Sequence, residues 1–140
     1  MGFFTRRSKK PEKELPIVTL DGPKTYAVKV VGTSKYQDTL ENICGGRGKA
    51  GHSQIIDDVL LIHVDDNPHD DQAILVAIGG NPIGYLSRDD ARQYRESLKQ
   101  AGFPGSGAAC SGMIVGGWDD GQGDKGHFGF RLDLPTGEEQ

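Results

Sequence analysis

A mainly β, α+β fold, arranged as a small and partly open barrel with two short helices, is predicted for this chain by three observations. Five or six short runs are rich in β-branched and aromatic residues, two segments carry helical spacing, and 21 of the 140 residues are glycine. The glycines predict tight turns and open loops, because only a residue without Cβ enters left-handed backbone freely. A chain of this length forms one domain with a real core.

The elements follow in order. "TYAVKVVG" (Thr25–Gly32) alternates as a first strand ending at a glycine turn. "SKYQDTLENICGG" offers Ser34 as an N-cap, Leu40, Ile43 and Cys44 on one face, and Gly45 as a stop, which predicts a short helix. "GGRGKAGHS" is a loop, and "QIIDDVLLIHV" a strand bulged at Asp57–Asp58. An acidic turn, "DDNPHDDQ", leads to "AILVAI", the turn "GGN" and "PIGYL", a hairpin. "SRDDARQYRESLKQAG" is the strongest helix: Ser87 caps it, Asp90 stands at N3, and Ala91, Tyr94, Leu98 and Ala101 form its apolar stripe before Gly102. "AACSGMIVGGW" and "HFGFRLDLP" are two further strands joined by the loop "DDGQGDKG". No internal repeat is present.

Hydrophobic content of 35%, charged content of 26% and a mean hydropathy of −0.50 describe a polar, soluble domain. No apolar run approaches the ~18 residues that span a membrane. "MGFFTRRSKK" lacks the apolar region of a secretory signal, and Arg6 stands where a myristoylation signal needs Ser or Thr. A cytoplasmic address without a membrane partner is the resulting expectation. Cys44 and Cys110 lack CxxC spacing and read as reduced core thiols. Residues 1–35 carry eight basic against three acidic residues, a balance of +5; the remainder carries eight against seventeen, a balance of −9. The expected organisation is a disordered basic tail over 1–22, a folded domain over 23–136 and a C-terminal tail over 137–140. An acidic body argues against indiscriminate duplex wrapping, whose affinity comes from many phosphate contacts.

Enzymatic motifs fail one by one. A P-loop would need Gly where Ile43 stands and Ser or Thr where Ala50 stands. An EF-hand counted from Asp65 would need Gly at Asp70 and Glu at Val76. His52, His63, His69 and His127 show neither HxxxH nor HExxH spacing, so isolated, solvated or hydrogen-bonded histidines are expected and no cofactor is implied. No serine sits in a nucleophile elbow, and neither cysteine has local signs of activation. The chain reads as a non-enzyme. The acidic turn keeps three readings: a solvated turn, a metal loop, or a site that grips a particular ligand.

"VVGTSKYQDTL", then "DDNPHDDQAILVAI", then "IGYLSRDDARQY", in that order, resembles the HIRAN domain, and "GGW…GHFGFRLDLP" is similar to the tail of its stand-alone bacterial members. The family pattern is a V-V-G-x-x-x-Y opening, an N-P-[aromatic]-D-x-[N/Q]-A turn and a V-G-[Y/H]-L helix start. The resemblance covers Tyr26 to about Pro135. It implies a small OB-like or SH3-like β-barrel whose groove holds single-stranded DNA at its 3′-hydroxyl end. It also implies DNA repair or replication as the setting, and a helicase or nuclease as partner.

Carried over residue by residue, the resemblance makes Asp70 the acceptor of the terminal hydroxyl, with Pro68 fixing the turn and Asn67 offering an amide. It makes Tyr36 and Tyr85 aromatic contacts, and Arg88 the phosphate ligand at the helix start. Three positions depart from the pattern: Lys35 replaces an aromatic, His69 replaces the turn aromatic, and Asp66 stands where Asn is common. A carboxylate accepts a hydrogen bond from a hydroxyl, and internal DNA linkages have none to give. The other reading of Asp70 is an Asx residue bonding its own backbone; Tyr36 and Tyr85 also read as core aromatics with wet hydroxyls. Two other functions stay open: a protein-interaction module suited to a basic partner, and a metal-binding accessory of a helicase or hydrolase.

Overall fold

The computed structural model describes residues 17–135. It contains β1 (Ile17–Thr19), β2 (Val28–Lys29), a 3-10 turn (Thr33–Tyr36), α1 (Gln37–Cys44), β3 (His52–Val64), β4 (Ala73–Ile78) and β5 (Asn81–Tyr85). α2 (Arg88–Gln100), β6 (Gly107–Gly116) and β7 (Phe128–Asp133) complete it. The fold is mainly β with two short helices, as the sequence predicts. Of the expected tail, residues 1–16 lie outside the described residues, as do residues 136–140. Residues 17–19 do not belong to a tail: β1 pairs in parallel with the start of β6, and Val18 and Leu20 pack against the core.

The strands form one curled sheet in the order β2-β7-β6-β3-β4-β5, antiparallel throughout, with β1 beside β6 where β7 does not reach. β3 pairs with β6 along most of its length and with β4 over its second half. Its register shifts between Ile56 and Val59, so the bulge falls on Asp57–Asp58, where the two exposed acids interrupt the apolar alternation. The sheet then turns back on itself. Beyond β2, Val31 donates to the Tyr85 carbonyl at 2.8 Å and accepts from the Tyr85 N–H at 2.9 Å, joining one edge of the sheet to the other. The core inside this curl holds Leu61, Ile74, Val76, Ile83, Ile114, Phe128, Phe130 and Leu132, each at most 2% exposed.

The β4–β5 hairpin turns through Gly79 and Gly80, both at positive φ (56° and 83°), as a two-residue turn with matching twist requires. α2 begins as its sequence dictates: the Ser87 hydroxyl accepts from the Asp90 N–H at 3.1 Å, a cap worth about 1 kcal/mol, and Asp89 and Asp90 face the positive helix end. Ala91, Tyr94 and Leu98 are buried. Ala101 is not, because the helix ends at Gln100 and Ala101 is its C-cap.

Two expectations near the start of the domain change. The first strand shrinks to Val28–Lys29 because Asp133, 1% exposed, captures the chain before it. Its carboxylate accepts from the Gly22 N–H (3.2 Å), the Lys24 N–H (2.7 Å) and Lys24 Nζ (3.3 Å). The detour places Lys24 (φ 66°) and Tyr26 (φ 50°) in left-handed backbone, at a cost of order 1–3 kcal/mol each. The Asp133 bonds and a 2.9 Å contact between the Tyr26 hydroxyl and Ser111 Oγ offset it. The helix expected to start from a Ser34 cap instead opens with the 3-10 turn and becomes α-helical at Gln37. Gln37 is the reason: its amide bonds both the N–H and the carbonyl of Phe128 on β7, at 2.8 and 2.9 Å, and the Thr33 carbonyl at 2.9 Å. Leu40 is fully buried, and Ile43 and Cys44 pack against the core beside it, the face the spacing predicts.

Two stability outcomes follow. A Cβ on Gly84 would meet Val30 Cγ1 and the Val31 carbonyl oxygen at 2.6 Å, so Gly84→Ala should wedge open the Val31–Tyr85 closure. Urea denaturation is expected to show a loss of about 1–3 kcal/mol. Asp133→Ala leaves the Gly22 and Lys24 N–H groups without their acceptor, and about 2–3 kcal/mol should be lost in the same assay. Lys24→Ala should cost far less, because the Lys24 side chain is 64% exposed.

Candidate functional site

The acidic turn between β3 and β4 is built by its own side chains. Asn67 Oδ1 accepts from the His69 N–H (2.8 Å) and the Asp70 N–H (3.2 Å), with Pro68 between them. Asp70 Oδ1 then accepts from the Gln72 N–H at 3.0 Å, and the Asp70 carbonyl from the Ala73 N–H at 3.1 Å. This is the Asx geometry expected of Asn and Asp in a turn.

α2 lies against the turn and presents Arg88, Arg92 and Arg95, spaced i, i+4, i+7 along one face. Arg92 contacts both Asp70 oxygens at 3.4 and 3.5 Å, and Arg88 Nε stands 3.9 Å from Oδ2. Arg88 also donates to the His69 carbonyl at 3.0 Å. Arg95 donates to the carbonyls of Gln72 (2.8 Å) and Ala73 (3.2 Å) and pairs with Asp65 at 2.9 Å. An arginine in the first turn opposes the helix dipole. A phosphate ligand is not required to explain Arg88, since the His69 carbonyl and Asp70 already do.

Asp70 is thus a half-satisfied anion. Its side chain is 11% exposed, and its contacts to the guanidinium groups are long. The Gln72 N–H first, then Arg92 and Arg88, hold its carboxyl below the usual carboxylate range against the opposing effect of burial. Asn67 has its carbonyl committed to the turn, so its NH₂ end is what remains for a ligand. Asp66 and His69 are exposed at the turn's rim.

The remaining expected residues gather round the end of β5. Tyr85 is half-buried, bonded through its backbone to Val31, and Arg88 follows it by three residues. The 3-10 turn carrying exposed Lys35 and half-buried Tyr36 packs on β5: a Cβ at Gly84 would lie 3.4 Å from Thr33 Cγ2. The three segments of the resemblance therefore gather near one end of the curled sheet, around the end of β5. Arg92 and Arg95, the strongest holds on the turn, were not among the expected residues; the i, i+4, i+7 arginine spacing was the available signal.

Other chemistry is sparse. Among the described residues, no three His, Cys, Asp or Glu side chains lie together so as to hold a metal ion, and no helix is long and apolar enough to cross a membrane. Burial pushes the Cys110 thiol up to about 12 and raises that of Cys44, which disfavours the thiolate in both. His52 Nδ1 pairs with the Gly116 carbonyl at 3.0 Å and His63 Nε2 with the Ser106 carbonyl at 2.9 Å. Burial, then Arg95, hold His63 below the ordinary imidazole value. A largely apolar cleft of about 460 Å³ opens between β1 and α2, lined by Val18, Leu20, Tyr94, Leu98, Phe103 and Leu134 among others.

Asp70 gives a pH-dependent outcome. A carboxylate whose folded pKa is lowered stabilises the fold in full above its ordinary value of 3.8, and that contribution is lost as pH falls through the lower folded value. Asp70→Asn keeps an acceptor for Gln72 but drops the charge facing the arginines. Its melting temperature should therefore lie below wild type at neutral pH, with the gap closing below about pH 4. An equal gap at about pH 2 and pH 7 in thermal melts would show that charge plays no part in holding the turn.

No family model, curated protein or solved structure matches this chain.

Proposed function

We propose that the chain is a HIRAN-like, non-catalytic module that binds single-stranded DNA at its 3′ end, on an OB-like or SH3-like barrel. The observation that carries the reading is the convergence described above: the Thr33–Tyr36 turn, the Asn67–Asp70 turn and the Tyr85–Arg88 segment, far apart in sequence, meet around the end of β5. In this reading Asp70 accepts the terminal 3′-hydroxyl, using lone pairs that the long arginine contacts leave available. Arg88, 67% exposed, and Arg92, 46% exposed, hold the adjacent phosphate. Tyr36, Tyr85 and His69 supply base or sugar contacts, and Lys35 and the Asn67 NH₂ group add polar ones. Asp66 lowers the pull on phosphate, so discrimination comes from the hydroxyl and not from bulk charge. The setting is DNA repair or replication, with a helicase or nuclease supplying the catalysis.

A second reading, a protein-interaction module, has its own observation in the apolar cleft between β1 and α2. Asp90 stands on its wall and the chain from residue 36 onward carries a net −9, which suits an apolar segment of a basic partner.

Fluorescence anisotropy with short single strands ending in 3′-hydroxyl or 3′-phosphate, or circularised, separates the two. Wild type should prefer the hydroxyl end, because a carboxylate facing a terminal phosphate meets a like charge. Asp70→Ala should erase that preference, weakening the hydroxyl-ended strand and strengthening the phosphate-ended one, each several-fold. Arg88→Ala should weaken both with little change in melting temperature, since Arg92 and Arg95 still hold the turn. Equal wild-type binding to all three strands would reduce Asp70 to a turn residue, and binding to none would favour the protein-interaction reading.

A further inference from the structure

At the opposite end of β3 from the acidic turn, the loop 45–51 lies against the hairpin that links β6 to β7. Gly48 bridges Trp118 in the parallel sense: the Gly48 N–H donates to the Gly117 carbonyl (3.3 Å) and the Asp119 N–H to the Gly48 carbonyl (3.0 Å). Arg47 locks the two loops together. Its guanidinium donates to the carbonyls of Gly126 (2.6 Å) and Trp118 (3.3 Å), stacks 5.1 Å from the Phe128 ring centroid and pairs with Glu41.

Trp118 is the only tryptophan of the chain, and it is 39% exposed. The indole is nevertheless fixed. Its six-membered ring lies over Gly126, where any side chain would collide with it, and its Nε1 donates to Asp124 Oδ2 at 3.3 Å. The backbone below is tied as well, the Gly126 N–H donating to the Trp118 carbonyl at 3.0 Å. A large aromatic in a loop normally loses rotamer freedom when it binds; this one has already lost it. Two lysines lie close in the chain to its contacts: Lys49 follows Gly48 and is exposed, and Lys125 precedes Gly126 with its side chain 60% exposed. The nearby acids are occupied within the hairpin. Asp119 caps Gly121 and faces Lys125, Asp120 caps Gln122 and Asp124, and Asp124 holds the indole.

We infer that Trp118 is a preorganised stacking platform for a base of a single strand, with Lys49 and Lys125 placed for the flanking phosphates. A fixed, partly exposed π-face with two lysines in the loops that hold it fits a planar group carrying negative linkages better than it fits an aliphatic side chain. This inference rests on the strand-binding reading above but uses a surface separate from the 3′-end turn.

The test follows the tryptophan emission of the full chain, excited at the red edge where its four tyrosines do not absorb so that it reports Trp118 alone, while an oligothymidine of about a dozen nucleotides is titrated and its anisotropy is read in parallel. Quenching should follow the same isotherm as the anisotropy. Trp118→Ala should weaken binding about 5- to 100-fold, with Trp118→Phe retaining most of the affinity. If Trp118→Ala loosens the hairpin, the wild-type quenching still decides. Binding seen by anisotropy without quenching, or unchanged in a folded Trp118→Ala variant, overturns the platform and leaves the 3′-end reading intact. No binding by wild type overturns both. Quenching with an Asp70→Ala variant that still discriminates 3′ ends keeps the platform and removes Asp70 from end capture.

Discussion

Two backbone hydrogen bonds, between Val31 and Tyr85, decide what this sheet is. Without them β2 and β5 would be open edges of a twisted six-strand path, each exposing unpaired N–H and C=O groups. With them the sheet curls until its ends meet, and the apolar faces of β3, β4, β6 and β7 enclose one core. The closure also sets the surface. Val31 leads directly into the Thr33–Tyr36 turn and Tyr85 directly into Ser87 and α2, so joining these two residues brings two distant stretches of chain to one place. Gly84 is what allows the approach, because the Val31 carbonyl occupies the space of its missing side chain.

The acidic turn depends on that arrangement. Its acids would repel one another in isolation, yet α2, delivered by the same closure, sets arginines against two of them: Arg95 on Asp65, Arg92 and Arg88 on Asp70. The guanidinium groups also bond backbone carbonyls at His69, Gln72 and Ala73, so they act as turn caps as much as counter-ions. Surface ion pairs of this sort stabilise weakly one at a time. Their consequence here is positional, since they fix which oxygens of the turn face outward.

How much of this was legible in sequence depends on how far each cause lies along the chain. The β4–β5 hairpin, the Ser87-capped helix and the Asp57–Asp58 bulge are local: Gly-Gly, Ser-x-x-Asp and two acids interrupting an apolar run carry their own instructions. The early part of the domain is not local. Asp133 lies 109 residues from Lys24 and 111 from Gly22, and nothing in "TYAVKVVG" announces that the chain before it will be captured. Gln37 likewise takes its shape from Phe128, 91 residues away. At the site, Asn67 and Asp70 were readable as turn residues, while the identity of their partners required knowing that α2 packs across the turn. Trp118 reads in sequence only as the end of "GGW", because the contacts that fix it, Gly126 and Asp124 on the indole and Arg47 on its carbonyl, arise only in three dimensions.

The charge distribution constrains any anion that binds here. At the turn every exposed arginine already faces an acid, and beside Trp118 Lys125 stands 3.9 Å from Asp119. A phosphate reaching either place displaces or shares an existing partner and gains little from long-range attraction, since the body from residue 36 onward carries −9. In the proposed reading the phosphate contacts of Arg88, Arg92, Lys49 and Lys125 add affinity, while discrimination comes from short-range terms: a hydroxyl facing a carboxylate, a base lying on a ring. Such terms are insensitive to ionic strength, unlike the counterion release that drives duplex binders. They are also directional, so they reward an end or an unpaired base and give a paired, uniform backbone almost nothing. On the proposed reading, an acidic curled sheet of this construction suits the exceptional features of a nucleic acid and is poorly suited to coating it.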